Sequence, residues 1–222
     1  MRLATILVVV FALAGAGCGG SETDEGAATN ETTPGAGCRE LEAPAPREPD
    51  TSTSEPSATS LDASETWTLT FATSCGSFTV TLDLESAPKT SASLVQLARD
   101  GYFDDTIFHR IVPGFVIQGG DPTQSGGGGP GYSTVDVPAP DTAYVKGVVA
   151  MAKSAAETPG TSGSQFFVVT GADVGLPPEY AVVGEVTDGL EVVERIGTLG
   201  DPATEQPTQP VVVETVTAAS AS

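Results

Sequence analysis

The feature that most restricts this chain is an abrupt change of texture at Trp67. From Gly19 to about Ser64 large apolar residues are scarce; from Trp67 on, "WTLTFAT" and "SFTVTLDL" alternate apolar and polar residues around Cys75-Gly76. A period of two is that of a strand with one face buried, and the Cys-Gly pair between the two runs reads as a turn. Next comes "SAPKTSASLVQLARDGYF", where Ser86 and Pro88 are helix-start signals, Leu94, Val95, Leu97 and Ala98 form an apolar stripe, and Gly101 is a stop. Further short strands are expected over 115–118, 148–152, 166–169, 181–186 and 211–217, with a second amphipathic helix at "GLEVVERIG". No internal repeat is visible. Many short strands with two helices predict a mainly β fold, a closed antiparallel β-barrel capped by helices, because closure removes exposed strand edges.

The 222 residues suit one main domain and a tail, divided here into residues 1–17, 18–65 and 66–218. The first segment has a basic residue, Arg2, and an apolar run from Leu3 to Ala14 that is too short to span a membrane in the mature protein. It ends at "LAGAGCGG", small residues followed by cysteine, similar to a bacterial lipobox, although Gly15 stands where a larger aliphatic residue is usual. The expectation is a lipoprotein signal peptide, lipid on Cys18, and an extracytoplasmic domain anchored to the cell membrane. The rival is ordinary cleavage after Ala14-Gly15-Ala16 and a secreted soluble protein. Lipid on Cys18 leaves Cys38 and Cys75 as an even pair in a compartment that tolerates disulfides. Two readings of that pair stay open: a bridge, or Cys75 as a small buried residue at a strand end. Residues 18–65, rich in Ser, Thr, Pro, Gly, Ala and Glu, cannot bury enough surface to offset their ordering entropy and are expected to form a disordered tether.

Charge narrows the partners. Nine Lys+Arg against 29 Asp+Glu give a formal net charge of -20. Neither nucleic acid nor anionic lipid offers counter-charge to a polyanion, so membrane association is expected only through the lipid anchor.

The available chemistry is narrow as well. A single histidine and no cysteine pair at ligand spacing argue against a metal site. His109 has no "GxSxG" serine to serve and reads as a hydrogen-bonded structural residue. "QSGGGGPG" lacks the lysine and following Ser/Thr of a phosphate loop and reads as a flexible surface loop. What remains is one cation with aromatics and amides: Arg110, Phe115, Gln118, Gln165 and Phe167. Brought together on neighbouring strands, they could bind an apolar ring and donate hydrogen bonds to an amide.

"FHRIVPGFVIQGGDP" and "GSQFFVVTG" resemble the two signature segments of the cyclophilin peptidyl-prolyl isomerases, and "APKTSASLVQLARDGYFDDTIFHRI" and "GVVAMA" fit in the same order, so that the resemblance runs from about residue 67 to 217. It implies an eight-stranded antiparallel barrel with two capping helices and a cofactor-free, monomeric isomerase of proline-containing polypeptides. Arg110 matches the catalytic arginine, with Phe115 and Gln118 beside it. Val116, Ala152, Lys153, Gln165, Phe167, Leu176 and Tyr180 match positions lining the proline pocket and peptide groove. Val116 replaces a usual methionine, Lys153 an asparagine and Tyr180 a histidine, while Gly175 falls where a rim tryptophan often sits. That last departure implies weak sensitivity to cyclosporin-type macrocycles. The alternatives are a chaperone module that holds proline segments with little turnover, and a purely structural envelope lipoprotein, to which the signature segments lend nothing.

Overall fold

The structure, a computed structural model, describes residues 37–48, 54–57 and 60–222. Cys18 and the expected signal peptide lie outside these residues.

Strands β1 (Thr66–Thr73) and β2 (Gly76–Leu82) form an antiparallel hairpin in which Phe71 faces Phe78. Alternation decides which face is buried: Trp67, Leu69, Phe71, Phe78, Val80 and Leu82 point inward. The rings of Phe71 and Phe78 stack at 4.8 Å, while Thr70 and Thr79 share a hydroxyl hydrogen bond on the other face. Gly76 closes the turn at φ +113°, a region that L side chains rarely adopt.

Helix α1 (Pro88–Arg99) begins with Pro88 in its first turn, but its N-cap is Ala87, which has no side-chain oxygen to offer. Asp136 substitutes from a distant loop, its carboxylate accepting both the N–H and the hydroxyl of Thr90 at 2.7 Å. Gly101, at φ +68°, ends the helix by turning the chain so that Gly101 and Tyr102 N–H reach back to the carbonyls of Ala98 and Leu97.

The remaining elements are β3 (Thr106–Ile107), β4 (Arg110–Val112), β5 (Val116–Gly119), β6 (Thr134–Val135), β7 (Val148–Met151), β8 (Thr161–Ser162), β9 (Phe166–Val169), β10 (Val182–Asp188), α2 (Leu190–Gly197) and β11 (Val212–Ala221). Nine strands make one antiparallel sheet in the order β3-β11-β1-β2-β10-β7-β9-β5-β4, and β6 pairs with β8 separately. The expectation of eight strands in a closed barrel is corrected by this order. Its two outermost strands, β3 and β4, are consecutive in sequence and separated only by Phe108 and His109. The sheet must therefore curl to bring its ends together. With so short a link the end strands follow one another instead of lying side by side, and no ladder joins them among the described residues.

Two apolar clusters occupy the two faces of the same strands. In "FFVV" of β9, Phe166 and Val168 enter the main core, while Phe167 and Val169 face a second cluster. In β7, Val149 and Met151 face the core and Ala150 the other side; in β5, Ile117 faces the core and Val116 the other side. The main core is closed by α2 through Val192, Val193 and Ile196.

Residues 38–48 depart from the disordered tether expected over 18–65. Cys38 is joined to Cys75 by a disulfide, and Arg39 N–H donates to Ser74 O while its guanidinium meets Glu214 at 2.6 Å. Further along, Pro44 O accepts from Gln124 Nε2 at 2.8 Å. Arg47 donates from its guanidinium to the carbonyls of Tyr102 and Asp104, and from its backbone to Pro122 O. A stretch with almost no apolar side chains is thus held by a cystine and by arginines on main-chain carbonyls, anchors that hydrophobicity does not register. The folded domain also begins before residue 66, since Leu61 is buried in the core and Trp67 Nε1 donates to Asp62 O. Among the described residues no helix is long and apolar enough to cross a membrane.

Candidate active site

Register builds the site. Arg110 in β4 is paired with Gln118 in β5, Gln118 with Phe167 in β9, and Phe167 with Ala150 in β7. Directly opposed residues of neighbouring strands project to one face. A cation, an amide and an aromatic ring therefore stand in a row across the sheet, on the face turned away from the main core.

Nine of the ten positions singled out as catalytic or substrate-binding line one cavity of about 330 Å³: Arg110, Phe115, Val116, Gln118, Ala152, Lys153, Phe167, Leu176 and Tyr180. The tenth, Gln165, lines an adjoining cavity of about 880 Å³ that shares Gln118, Ala152 and Lys153 with the first. One floor of the small cavity is apolar. Phe167 and Tyr180 meet edge to face at 5.6 Å, and Val116, Leu176 and Phe115 pack with the cluster around Phe167. The opposite wall is polar. The Arg110 guanidinium carbon lies 6.0 Å from the Phe115 ring centre, and Nη1 reaches Gln118 Oε1 at 3.5 Å. Gln118 Nε2 donates to Gln165 Oε1 at 3.1 Å, and Gln165 Nε2 to Gly128 O at 2.9 Å. Lys153 closes the rim, with Nζ 3.1 Å from Glu179 and 5.6 Å from the Tyr180 ring centre.

The glycine-rich segment read as a flexible surface loop has a place in this arrangement, since 125–131 form a wall of the larger cavity. Asp121 organises it. The carboxylate accepts the Thr123 hydroxyl and the N–H groups of Thr123, Gly126 and Gly128. Burial alone would raise the Asp121 pKa, but these hydrogen bonds outweigh it and hold the carboxyl below its ordinary value. A side chain at Gly128 would collide with that carboxylate, because an added Cβ would fall on its Oδ1.

His109 is corrected. Both ring nitrogens are buried, and neither has a hydrogen-bond partner among the described residues. Burial is the main cause of its lowered pKa; Arg110 adds to the effect and Asp121 opposes it. His109 is not among the residues that line either cavity.

Three participants were not legible in the sequence. Glu205 holds Arg110 Nε at 2.7 Å, Glu179 holds Lys153, and Tyr144, buried in the second cluster, hydrogen-bonds the backbone of Tyr180. None carries a local signal: Glu205 and Tyr144 reach the site from loops remote from the residues they hold, and Glu179, although next to Tyr180, pairs with a lysine 26 positions before it.

A cavity with an apolar floor, a fixed guanidinium and two linked amides suits an uncharged ring attached to a peptide group. Comparison with known proteins agrees. Residues 68–218 match the family model described as cyclophilin type peptidyl-prolyl cis-trans isomerase/CLD. Probable peptidyl-prolyl cis-trans isomerase A of Mycobacterium leprae is 38% identical over 168 residues, covering 68% of this chain and 91% of that protein. Peptidyl-prolyl cis-trans isomerase A of Mycobacterium tuberculosis is 38% identical over 170 residues, covering 68% and 92%. A crystal structure of a Cryptosporidium parvum cyclophilin type peptidyl-prolyl cis-trans isomerase superposes with a TM-score of 0.64 at 29% identity, covering 71% of this chain and 99% of that one. The same protein in the presence of the dipeptide Ala-Pro gives 0.62 at 30% identity, covering 68% and 97%. The row of Arg110, Gln118 and Phe167 thus stands in a chain that belongs to the cyclophilin-type peptidyl-prolyl cis-trans isomerases.

Proposed function

We propose that the smaller cavity receives the prolyl ring of an exported or surface polypeptide and that Arg110 catalyses rotation about the preceding peptide bond. Amide resonance sets a barrier of roughly 18–20 kcal/mol, and X-Pro bonds left alone isomerise over tens to hundreds of seconds. In the twisted transition state that resonance is lost and the prolyl nitrogen regains a basic lone pair. A guanidinium N–H directed at this nitrogen binds the transition state better than the planar ground state, which is the requirement for acceleration. A guanidinium offers its donors in a rigid planar fork, so little freedom is lost when one is aimed at the nitrogen. A charged hydrogen bond contributes about 1.5–3 kcal/mol net, and each 1.36 kcal/mol is roughly tenfold in rate. The arginine therefore supplies part of the acceleration. Ring capture by Phe115, Phe167 and Leu176, with peptide alignment by Gln118, supplies more.

The observation that carries this reading is the placement of Arg110 on the cavity wall, in register with Gln118 across the β4–β5 ladder and sharing the cavity with the apolar floor. The test is NMR exchange spectroscopy of an X-Pro peptide with the full chain. Arg110→Ala is expected to fold normally and lose most turnover, and Arg110→Lys to recover little, for want of the planar fork. Unchanged turnover in Arg110→Ala would overturn the mechanism. Peptide binding without turnover by the unaltered protein would favour the chaperone module.

The clients follow from the compartment, which rests on Cys18. Lipid there would hold the domain at the outer side of the cell membrane, among chains that fold after export. One acyl chain anchors only marginally, whereas the diacylglyceryl group of a bacterial lipoprotein supplies two. Cys18→Ser is expected to release the protein into the medium or stall its processing; continued membrane fractionation of that variant would count against the anchor.

A further inference from the structure

Arg110 could reach the cavity in many rotamers, and its bond to Gln118, at 3.5 Å, is too long to select one. The short contact lies on the other edge of the guanidinium, where Nε donates to Glu205 Oε2 at 2.7 Å across 95 positions of sequence. A carboxylate at Nε leaves the terminal N–H groups for a ligand, with only the long contact from Nη1 to Gln118 to displace.

Glu205 is itself held by its surroundings. Its backbone carbonyl accepts from Ile111 N–H at 2.9 Å, so the residue grips β4 at the position next to Arg110. Its N–H donates to Asp201 O at 2.8 Å, and Asp201 N–H returns to Gln206 O at 2.9 Å. The Asp201 carboxylate accepts the N–H groups of Ala203 and Thr204. Within this clamp Glu205 has φ +59°, a left-handed conformation uncommon for a residue with a side chain. The loop thus presents its carbonyl to the strand and its carboxylate to the arginine on that strand.

Fold stability does not account for the pair. The side chains of Arg110 and Glu205 are 34% and 48% exposed, and ion pairs so open to solvent contribute little to folding. We propose that Glu205 is a positioning residue for the isomerase reaction, fixing the Arg110 guanidinium so that its terminal nitrogens face the prolyl nitrogen. The assignment rests on the reading of Arg110 as the catalytic group. Orientation and charge act in opposite senses here. The carboxylate aligns the fork but also offsets part of its positive charge, and glutamine separates the two, since its amide oxygen accepts from Nε without the negative charge.

The experiment measures kcat and KM by NMR exchange on one X-Pro peptide for the full chain and for Glu205→Ala, Glu205→Gln and Arg110→Ala, with the thermal midpoint of each. Glu205→Ala is expected to lower kcat by about three- to tenfold, the scale of a modest loss of alignment, with KM within about twofold and the midpoint unchanged. Glu205→Gln is expected to recover most of the loss. In Glu205→Ala the Arg110 15Nε resonance is expected to move toward that of a free arginine. An unchanged kcat in Glu205→Ala, with Arg110→Ala inactive, would overturn the positioning role and leave the arginine mechanism standing. A fall in kcat that tracks a fall in thermal midpoint and is not recovered by glutamine would also overturn it, as a merely structural effect. A rise in kcat in both Glu205 variants would show charge damping in place of positioning. Full turnover in Arg110→Ala would instead remove the mechanism on which the assignment rests.

Discussion

The hydroxyl of Tyr144 donates to the carbonyl of Tyr180 at 2.8 Å and accepts from the N–H of the same residue at 3.0 Å. One buried side chain thereby satisfies both main-chain groups of a residue whose ring stands edge-on to Phe167. Burial raises the Tyr144 pKa, so the hydroxyl stays protonated and can donate throughout the neutral range. Tyr144→Phe leaves two backbone groups without a partner and should cost about 1–3 kcal/mol of stability. It should also loosen the Tyr180 rim, raising KM for a proline peptide more than it changes kcat. Urea unfolding and exchange spectroscopy check the two parts. A stability equal to that of the unaltered protein would show that Tyr144 does not carry Tyr180.

The apolar side of the site was legible because alternation is local. In "GSQFFVVTG", period two sends Phe166 inward and Phe167 to the opposite face, and the same rule separates Val116 from Ile117. The pairing of Arg110 with Gln118 follows from a short hairpin around Pro113-Gly114. The polar side was not legible, because its contacts join residues with no common pattern: Arg110 with Glu205, Lys153 with Glu179, Gln165 with Gly128. The same limit explains the sheet. Closure was inferred from the need to hide strand edges, yet β3 and β4 are only two and three residues long and leave little edge to hide.

The strap over 38–48 should be redox-sensitive. Cys38 and Cys75 are 37 positions apart, and bridging a loop of that length stabilises by about 4 kcal/mol in the entropic model. Reduction, or Cys38→Ser, should lower the unfolding midpoint. It should also increase hydrogen exchange in 121–131, where Pro44 and Arg47 hold Gln124 and Pro122. Arg47→Ala should reproduce the local exchange with a smaller global loss. Two alkylatable thiols in the non-reduced protein, or protection of 121–131 that ignores reduction, would contradict this account.

His109 gives stability a pH dependence of predictable sign. Burial holds its pKa below the ordinary 6.5, so between that value and the lower folded one the unfolded chain binds more protons than the folded. Its contribution is complete above pH 6.5 and is lost as the pH falls through the folded value, with a slope of at most about 1.4 kcal/mol per pH unit. Asp121 acts in the same direction further down. Its contribution is present above its ordinary 3.8 and is lost as acid protonates the folded carboxylate. His109→Asn should flatten the upper part of this profile and leave the lower. Urea midpoints measured from pH 8 to 3 decide it; superimposable curves for the two proteins would sink the prediction.

Inhibitor sensitivity turns on Gly175. In this family cyclosporin-type macrocycles occupy the proline groove, where a rim tryptophan offers an indole N–H and a broad apolar face. Motif spacing from Phe167 assigns that position to Gly175, which has φ +62°, donates its N–H to Asp173 Oδ1 at 2.9 Å, and has nothing within 4 Å of an added Cβ. Loss of one hydrogen bond and one aromatic contact should cost on the order of 2–4 kcal/mol. That is a weakening of very roughly thirtyfold to several hundredfold. Isomerisation should persist, since Arg110, Phe115 and Phe167 are unaffected. Space alone would let Gly175→Trp restore the contact, but the left-handed backbone opposes it. A side chain there costs roughly 1–2 kcal/mol, so the variant should recover only part of the affinity. Inhibition titrations of both proteins provide the check. Nanomolar inhibition of the unaltered chain would show that the macrocycle does not need the missing ring.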